Sequence, residues 1–203
     1  MKILLATHNL GKIDRFTYLL KLVDDIEIVS LGDVNISTDV EEPFLTSREN
    51  AIHKAQEYAR KSSLATLAID DSATTNFLPT NEQPGVFLKR FSSNKDDLNE
   101  RQIISVWKEI FNKNPQPEKQ FIWDTSIALF NPNNNFTGCS KVTKISHVVD
   151  TSNVIVPGYP MGSFLSPEKG GKPYSEMTDA EKRKKDLEVF AEFLNELRGW
   201  LKN

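Results

Sequence analysis

MKILLATHNLGKIDRFTYLLKLV, residues 1–23, decides how the chain folds. Lys2 to Thr7 is a short apolar run closing on polar residues, and Ile13, Phe16, Leu19, Leu20 and Val23 then recur at helical spacing. The pattern predicts strand, tight loop, helix. In such a unit the loop's backbone N–H groups point outward beside the positive end of the helix dipole, where an anion is stabilised. Thr7 and Asn9 add side-chain donors, Gly11 permits close backbone approach, and Lys12 brings a charge that can offset phosphate oxygens. THNLGK lacks the GxxxxGK[ST] spacing of a P-loop. Asn9 would serve equally well as a helix cap, and Lys12 as a solvated first-turn lysine.

Further along, Thr46 and Glu49 have capping-box spacing, and Ala51, Ile52, Ala55 and Ala59 share one face, predicting a helix to about Lys61. Leu64 to Ile69 reads as a buried strand that delivers Asp70, Asp71 and Ser72 at its carboxyl end, where open α/β sheets bind ligands. Neighbouring carboxylates repel unless a cation or hydrogen bonds intervene. Glu41 and Glu42 form a second acidic pair. Magnesium takes one or two carboxylates with phosphate oxygens and water, which suits a site shared by Glu42, Asp71 and a triphosphate. Solvated surface turns are the competing reading of both pairs.

Asp96 to Phe111 carries Ile103, Ile104, Trp107, Ile110 and Phe111 on an amphipathic helix, and NKNPQPEK breaks it. Two strands, Phe121 to Phe130 and Phe136 to Val149, flank the turn-rich NPNNN and predict a hairpin. Pro157 to Pro173 holds four glycines and four prolines, a long loop expected to face substrate. Thr178 and Glu181 cap a last helix striped with Leu187, Phe190, Leu194, Leu197 and Leu201. The sum is an α/β fold, a mixed sheet with flanking helices, over a single domain (residues 1–203) with a smaller lobe.

Composition narrows the function. Of 203 residues, 38% are hydrophobic and 26% charged, which fits a folded globular chain rather than a disordered one. A net charge of -3 offers no basic face for a nucleic-acid backbone, so no nucleic-acid partner is expected. No run approaches the roughly 20 apolar residues that span a bilayer, and MKILLAT is too short for a signal peptide, so no membrane partner and a cytoplasmic location are expected. The single cysteine, Cys139, can form no internal disulfide. His8, His53 and His147 show no metal-binding spacing and read as structural.

Four segments occur in a telling order: THNLGK, EEPFLTSRENAIHKA, LAIDDS and QPGVFLKRF. Together they resemble the inosine triphosphate pyrophosphatase family, whose pattern runs T-x-N-x-x-K, E-E-T-G-x-T-x-x-E-N-A-x-x-K-A, D-D-S-G and P-G-x-x-x-R. The likeness covers roughly residues 1 to 92 and thins toward KGGKPYSEMTDAEK near the C-terminus. It implies an elongated fold with a central cleft and cleavage of a nucleoside triphosphate between its α and β phosphates. Non-standard purines such as inosine or xanthosine triphosphate are the implied substrates. It further implies phosphate contacts from Thr7, Asn9, Lys12, Lys54 and Lys182, metal ligation by Glu42, and Asp71 activating water with Asp70 and Ser72 in support. Mg2+ and a homodimer follow from the same resemblance.

The sequence departs from that pattern at Ala73, where the family has glycine, and at Pro43 and Phe44, where it has T-G. The purine-reading F-G-Y-D-P becomes PGYPMGSF, which keeps Gly158 and Tyr159 but not the aspartate and offers Phe164 for stacking. The family's S-H-R falls on Asp186, Leu187 and Glu188, so its base-contacting histidine and arginine are missing. Two alternatives therefore accompany the active enzyme: a pyrophosphatase with altered base specificity, and a catalytically weakened nucleotide-binding relative.

Overall fold

The computed structural model describes residues 1–88 and 98–202. The end of QPGVFLKRF, from Lys89 onward, and the Asp96 start expected for the third helix lie outside the described residues. Six strands form one sheet in the order β2-β1-β3-β4-β5-β6. They are β1 (Lys2–Ala6), β2 (Glu27–Ser30), β3 (Ala65–Thr75), β4 (Gln120–Asn131), β5 (Phe136–Val148) and β6 (Leu165–Ser166). Four α-helices accompany them: α1 (Leu10–Leu20), α2 (Ser47–Ser62), α3 (Glu100–Lys113) and α4 (Asp179–Trp200). The mixed α/β fold expected from the sequence is the fold observed.

The chain divides into two compact units, one of residues 1–71, 124–142 and 183–203, the other of residues 72–123 and 143–182. In the first, β1 pairs in parallel with β2 on one side and β3 on the other, with Ile3 opposite Ala65 and Ala6 opposite Ala68. Strand alternation sends successive side chains to opposite faces. Ile3, Leu5, Leu67, Ile69, Ile127 and Leu129 meet Phe16 and Leu19 of α1 and Phe190, Phe193 and Leu197 of α4. Leu4, Ala6, Ala68 and Ala128 face Ala51, Ala55 and Tyr58 of α2. The second unit is built on an aromatic core in which Trp107, Phe121, Trp123 and Phe164 pack with Phe77, Ile103 and Met161.

Local chemistry sets the helix starts. Thr46 Oγ1 accepts the Glu49 N–H, and Ser63 ends α2 in the left-handed conformation. Asn99 and Gln102 form a reciprocal capping box ahead of α3. Thr178 and Glu181 do the same for α4, and the Lys172 ammonium and the Thr178 donors hold the Glu181 carboxyl down to about 2.

Three differences from the sequence reading have physical causes. The stretch between α1 and α2, for which the sequence predicts no element, contains β2, only four residues long at the sheet edge and nowhere fully buried, so it carries no clean period. The strand expected to stop at Ile69 continues to Thr75 as β3, so Asp70, Asp71 and Ser72 lie within it rather than at its carboxyl end. Its pairing with β1 ends at Ala68, but β4 keeps it company: Thr125 donates to Asp71, and the Asn76 N–H reaches the Gln120 carbonyl. The loop from Pro157 to Pro173 includes the two-residue β6, paired with His147 and Val148.

Gly138 of β5 lies against the indole of Trp200. A Cβ there would sit 2.5 Å from Trp200 Cδ2 and 2.7 Å from Cε2. Gly138→Ala is expected to destabilise the protein by about 1–3 kcal/mol through overpacking. Urea unfolding checks this, and a combined Gly138→Ala, Trp200→Leu variant should recover part of the loss.

Candidate active site

In the first unit, THNLGK fulfils the helix-cap reading and departs from the solvated-lysine one. Asn9 caps α1, its Oδ1 accepting the Lys12 N–H at 2.9 Å, and its own N–H donates to Thr7 Oγ1 at 3.1 Å. Lys12 is not a solvated lysine: its Nζ lies 2.9 Å from Asp71 Oδ2 and donates to the Ile69 carbonyl at 3.3 Å. Asp71 also accepts the Thr125 hydroxyl at 2.6 Å. One carboxylate is thus held in place by a cation from α1 and a hydroxyl from β4.

The partner carboxylate has a different environment. Lys54 of α2 donates to Glu42 Oε1 at 2.6 Å, to the Ile69 carbonyl at 2.9 Å and to Asp70 Oδ1 at 3.4 Å. Burial pulls the Lys54 ammonium down, but the charges of Asp70 and Glu42 together outweigh it and leave the group above its ordinary value. Burial pushes the Asp70 carboxyl up, and Lys54 and Lys12 only partly reverse this. Asn50, one helical turn before Lys54 and wholly buried, donates to Asp70 Oδ2 at 3.3 Å and to the Phe44 carbonyl at 3.0 Å, while accepting the Phe44 N–H at 3.0 Å. It therefore ties the Glu42-bearing loop to the acidic strand. Among the described residues no three His, Cys, Asp or Glu side chains gather as a metal-holding group.

Sequence reasoning passed over Asn50 and Thr125. Asn50 had a signal, because a polar side chain four residues before Lys54 lies on the same helix face as the alanines that pack on the sheet. Thr125 had none, since nothing local distinguishes it from other strand threonines. Asp186, which falls on the serine of the family's S-H-R, is buried and paired with Arg15 at 2.8 Å. Arg183 pairs with Asp14 at 2.6 Å and lies 4.7 Å over the Tyr18 ring.

The second unit holds Ser72, Tyr159, Phe164 and Lys182. Ser72 is half-buried in β3. Tyr159 meets Tyr174 edge-to-face at 5.1 Å, and Lys182 Nζ stands 5.4 Å over the Tyr174 ring and 4.0 Å from Asp179. Gly158 adopts φ 76°, a left-handed conformation suited to glycine, and its N–H donates to Glu100 Oε1 at 2.6 Å. The stacking role expected of Phe164 meets a correction: the side chain is 0% exposed, packed edge-on to Phe111 at 5.2 Å in the aromatic core.

With phosphate-loop lysine, buried lysine and acidic strand in place, comparison with known proteins is decisive, because residues 3–188 match the Ham1 family. The chain belongs to the Ham1 family. It is 28% identical over 211 residues to the dITP/XTP pyrophosphatase of Protochlamydia amoebophila, covering 98% of this chain and 100% of that protein. It is 33% identical over 135 residues to the dITP/XTP pyrophosphatase of Desulforamulus reducens, a match spanning 66% of this chain and 64% of that one. Among solved structures, a HAM1 protein from Coxiella burnetii superposes with a TM-score of 0.72 at 23% identity, over 97% of this chain and 99% of the other. The Staphylococcus aureus Ham1 protein gives 0.71 at 20% identity, over 98% and 99%. These two likenesses establish that the fold is the Ham1 fold.

Within this Ham1 chain the lysines differ in structural cost. Lys54→Met would take from buried Asp70 its paired cation and leave it the Asn50 amide, and is expected to destabilise the fold by about 3 kcal/mol, the scale of breaking a buried pair from one side. Lys12→Met, at a more accessible position, should cost less than half as much. Chemical denaturation of the two variants checks the order, and equal losses would remove the distinction between them.

Proposed function

We propose that this chain hydrolyses non-standard purine nucleoside triphosphates, of the inosine and xanthosine kind, to the monophosphate and pyrophosphate. The observation that carries the reading is the meeting of Lys12 and Lys54 on the Ile69 carbonyl, each paired with one member of the Asp70–Asp71 dyad. The activity for which those relatives are named, dITP/XTP pyrophosphatase, supports the substrate class.

A triphosphate carries about four negative charges, which two lysines can partly offset as charge develops on the leaving group. Thr7 and Asn9 would donate to phosphate oxygens from the start of α1, and Lys12 would exchange its contact with Asp71 for one with substrate. Asp71, positioned by Thr125, would orient the attacking water and take its proton as the α–β anhydride bond breaks and pyrophosphate leaves. Lys182 would add a cation to the phosphates, Tyr159 would contact the base and Ser72 would support the acidic strand.

The hard oxygen donors around the two lysines support magnesium as the cofactor, although among the described residues no three of them gather as a ready metal-holding group. Three carboxylates, Glu42, Asp70 and Asp71, face two ammonium groups, so the cluster keeps an excess negative charge on hard oxygen donors. Magnesium is commonly held by one or two carboxylates with phosphate oxygens and water, and Glu42 and Asp71, with Asp70 behind them, would hold it here. When bound it supplies Lewis-acid stabilisation of phosphate charge. A homodimer, which the family resemblance implies, and the cytoplasmic location expected from the sequence belong to the same proposal.

The test is to incubate the protein with magnesium and inosine, xanthosine, guanosine and adenosine triphosphates, measuring pyrophosphate against orthophosphate. Pyrophosphate from the non-standard purines is expected; orthophosphate alone, or nucleotide binding without release, would overturn the reading. Asp71→Asn should lower kcat by about 10²–10⁴-fold with the fold intact by circular dichroism. Lys12→Ala should weaken triphosphate binding by roughly 1.5–3 kcal/mol, read as a shift in Kd by calorimetry.

A further inference from the structure

The second unit contains a run of rings and ammonium groups of which only Lys182 has a part in the proposed phosphate chemistry. Lys144 of β5 places its Nζ 6.0 Å from the Trp123 ring centroid and 5.8 Å from that of Tyr159. Tyr159 meets Tyr174 edge-to-face at 5.1 Å, and Lys182 lies 5.4 Å over Tyr174. The order is therefore Trp123, Lys144, Tyr159, Tyr174, Lys182.

Gly162 makes the row compact. A Cβ at that position would fall 2.8 Å from Tyr159 Cδ1 and 3.3 Å from Tyr174 Cδ1, so the two rings close over a space only glycine leaves open. Trp123 is 5% exposed and fixed by packing with Phe121 at 6.0 Å, so one wall of the Lys144 site is rigid. Lys144 is half-buried, and its ammonium lies within cation–π range of two ring faces.

We propose that Lys144 is a specificity-determining residue that distinguishes oxo-purines from amino-purines. This rests on the assignment of Tyr159 to the base in the proposed function. An ammonium beside Tyr159 offers only N–H donors. A base carrying carbonyl oxygens on its rim gains charge-assisted hydrogen bonds from it, whereas an exocyclic amino group presents donor to donor. Xanthine, with two carbonyls and a ready anionic form, gains most, hypoxanthine less and adenine, whose rim accepts only through ring nitrogens, least. The chain lacks the aspartate of the family's F-G-Y-D-P and the histidine and arginine of its S-H-R, and Lys144 supplies a base-reading charge from a different element, β5.

The test compares the wild type with Lys144→Met, which keeps the stem and removes the charge, and Lys144→Arg, which keeps the charge. With magnesium present, kcat/KM for xanthosine triphosphate should fall about tenfold or more in Lys144→Met, the scale of a charge-assisted hydrogen bond, and stay within about threefold for adenosine triphosphate. Lys144→Arg should keep most of the preference. An equal fall for both substrates, or no fall, overturns the proposal. Calorimetric binding of xanthosine and adenosine monophosphates to the same proteins separates this from failure of the hydrolytic reading, because it needs no turnover. A preference for the xanthosine form that Lys144→Met abolishes supports the role of Lys144, and equal binding in all three proteins overturns it.

Discussion

Alternation along β3 is the constraint on which the rest of the site depends. Side chains at 67 and 69 belong to the face covered by α1 and α4, and that at 68 to the face covered by α2. Continuing the alternation gives Asp70 to α2 and Asp71 to α1, which is how they pair: Asp70 with Lys54, Asp71 with Lys12. Two adjacent aspartates that would repel on a turn are separated by the pleat and neutralised from opposite sides. Burial then divides their chemistry. Asp70 is sealed with Lys54 and Asn50, while Asp71 keeps the greater exposure that its proposed role on water needs.

Much of the fold was legible because the signals that carry it are local. Thr46, Asn9 and Thr178 announce helix starts by chemistry completed within three residues, and the hairpin of β4 and β5 is marked by its asparagine-rich turn. Elements fixed by distant partners were not legible. The full length of β3 depends on β4, some fifty residues later, and on lysines that make carboxylates tolerable inside a strand. β2 and β6 are too short to show a period and owe their existence to the strands beside them.

The candidate site divides in the same way. Lys12 and Asp71 stand out by residue type and position, although their direct pairing comes only with the fold. Asn50 and Thr125 act by holding other functional side chains, a role that residue type alone does not announce. Phe164 illustrates the opposite error: an aromatic in a glycine- and proline-rich loop suggests a stacking surface, yet the surrounding aromatics draw it fully into the core. Asp186 is another side chain whose place is set from a distance, since Arg15, 171 positions earlier, engages it.

Both site lysines share an acceptor that has no side chain. The Ile69 carbonyl belongs to the backbone, so no exchange of residue 69 for another deletes it, and that position is free to drift among side chains that suit the packing. What the lineage must conserve there is a register rather than a letter: an insertion or deletion that shifted β3 by one place would turn the carbonyl away and exchange the faces of Asp70 and Asp71 together. The inheritance of this site is therefore written partly in strand alignment, where residue-by-residue comparison cannot see it.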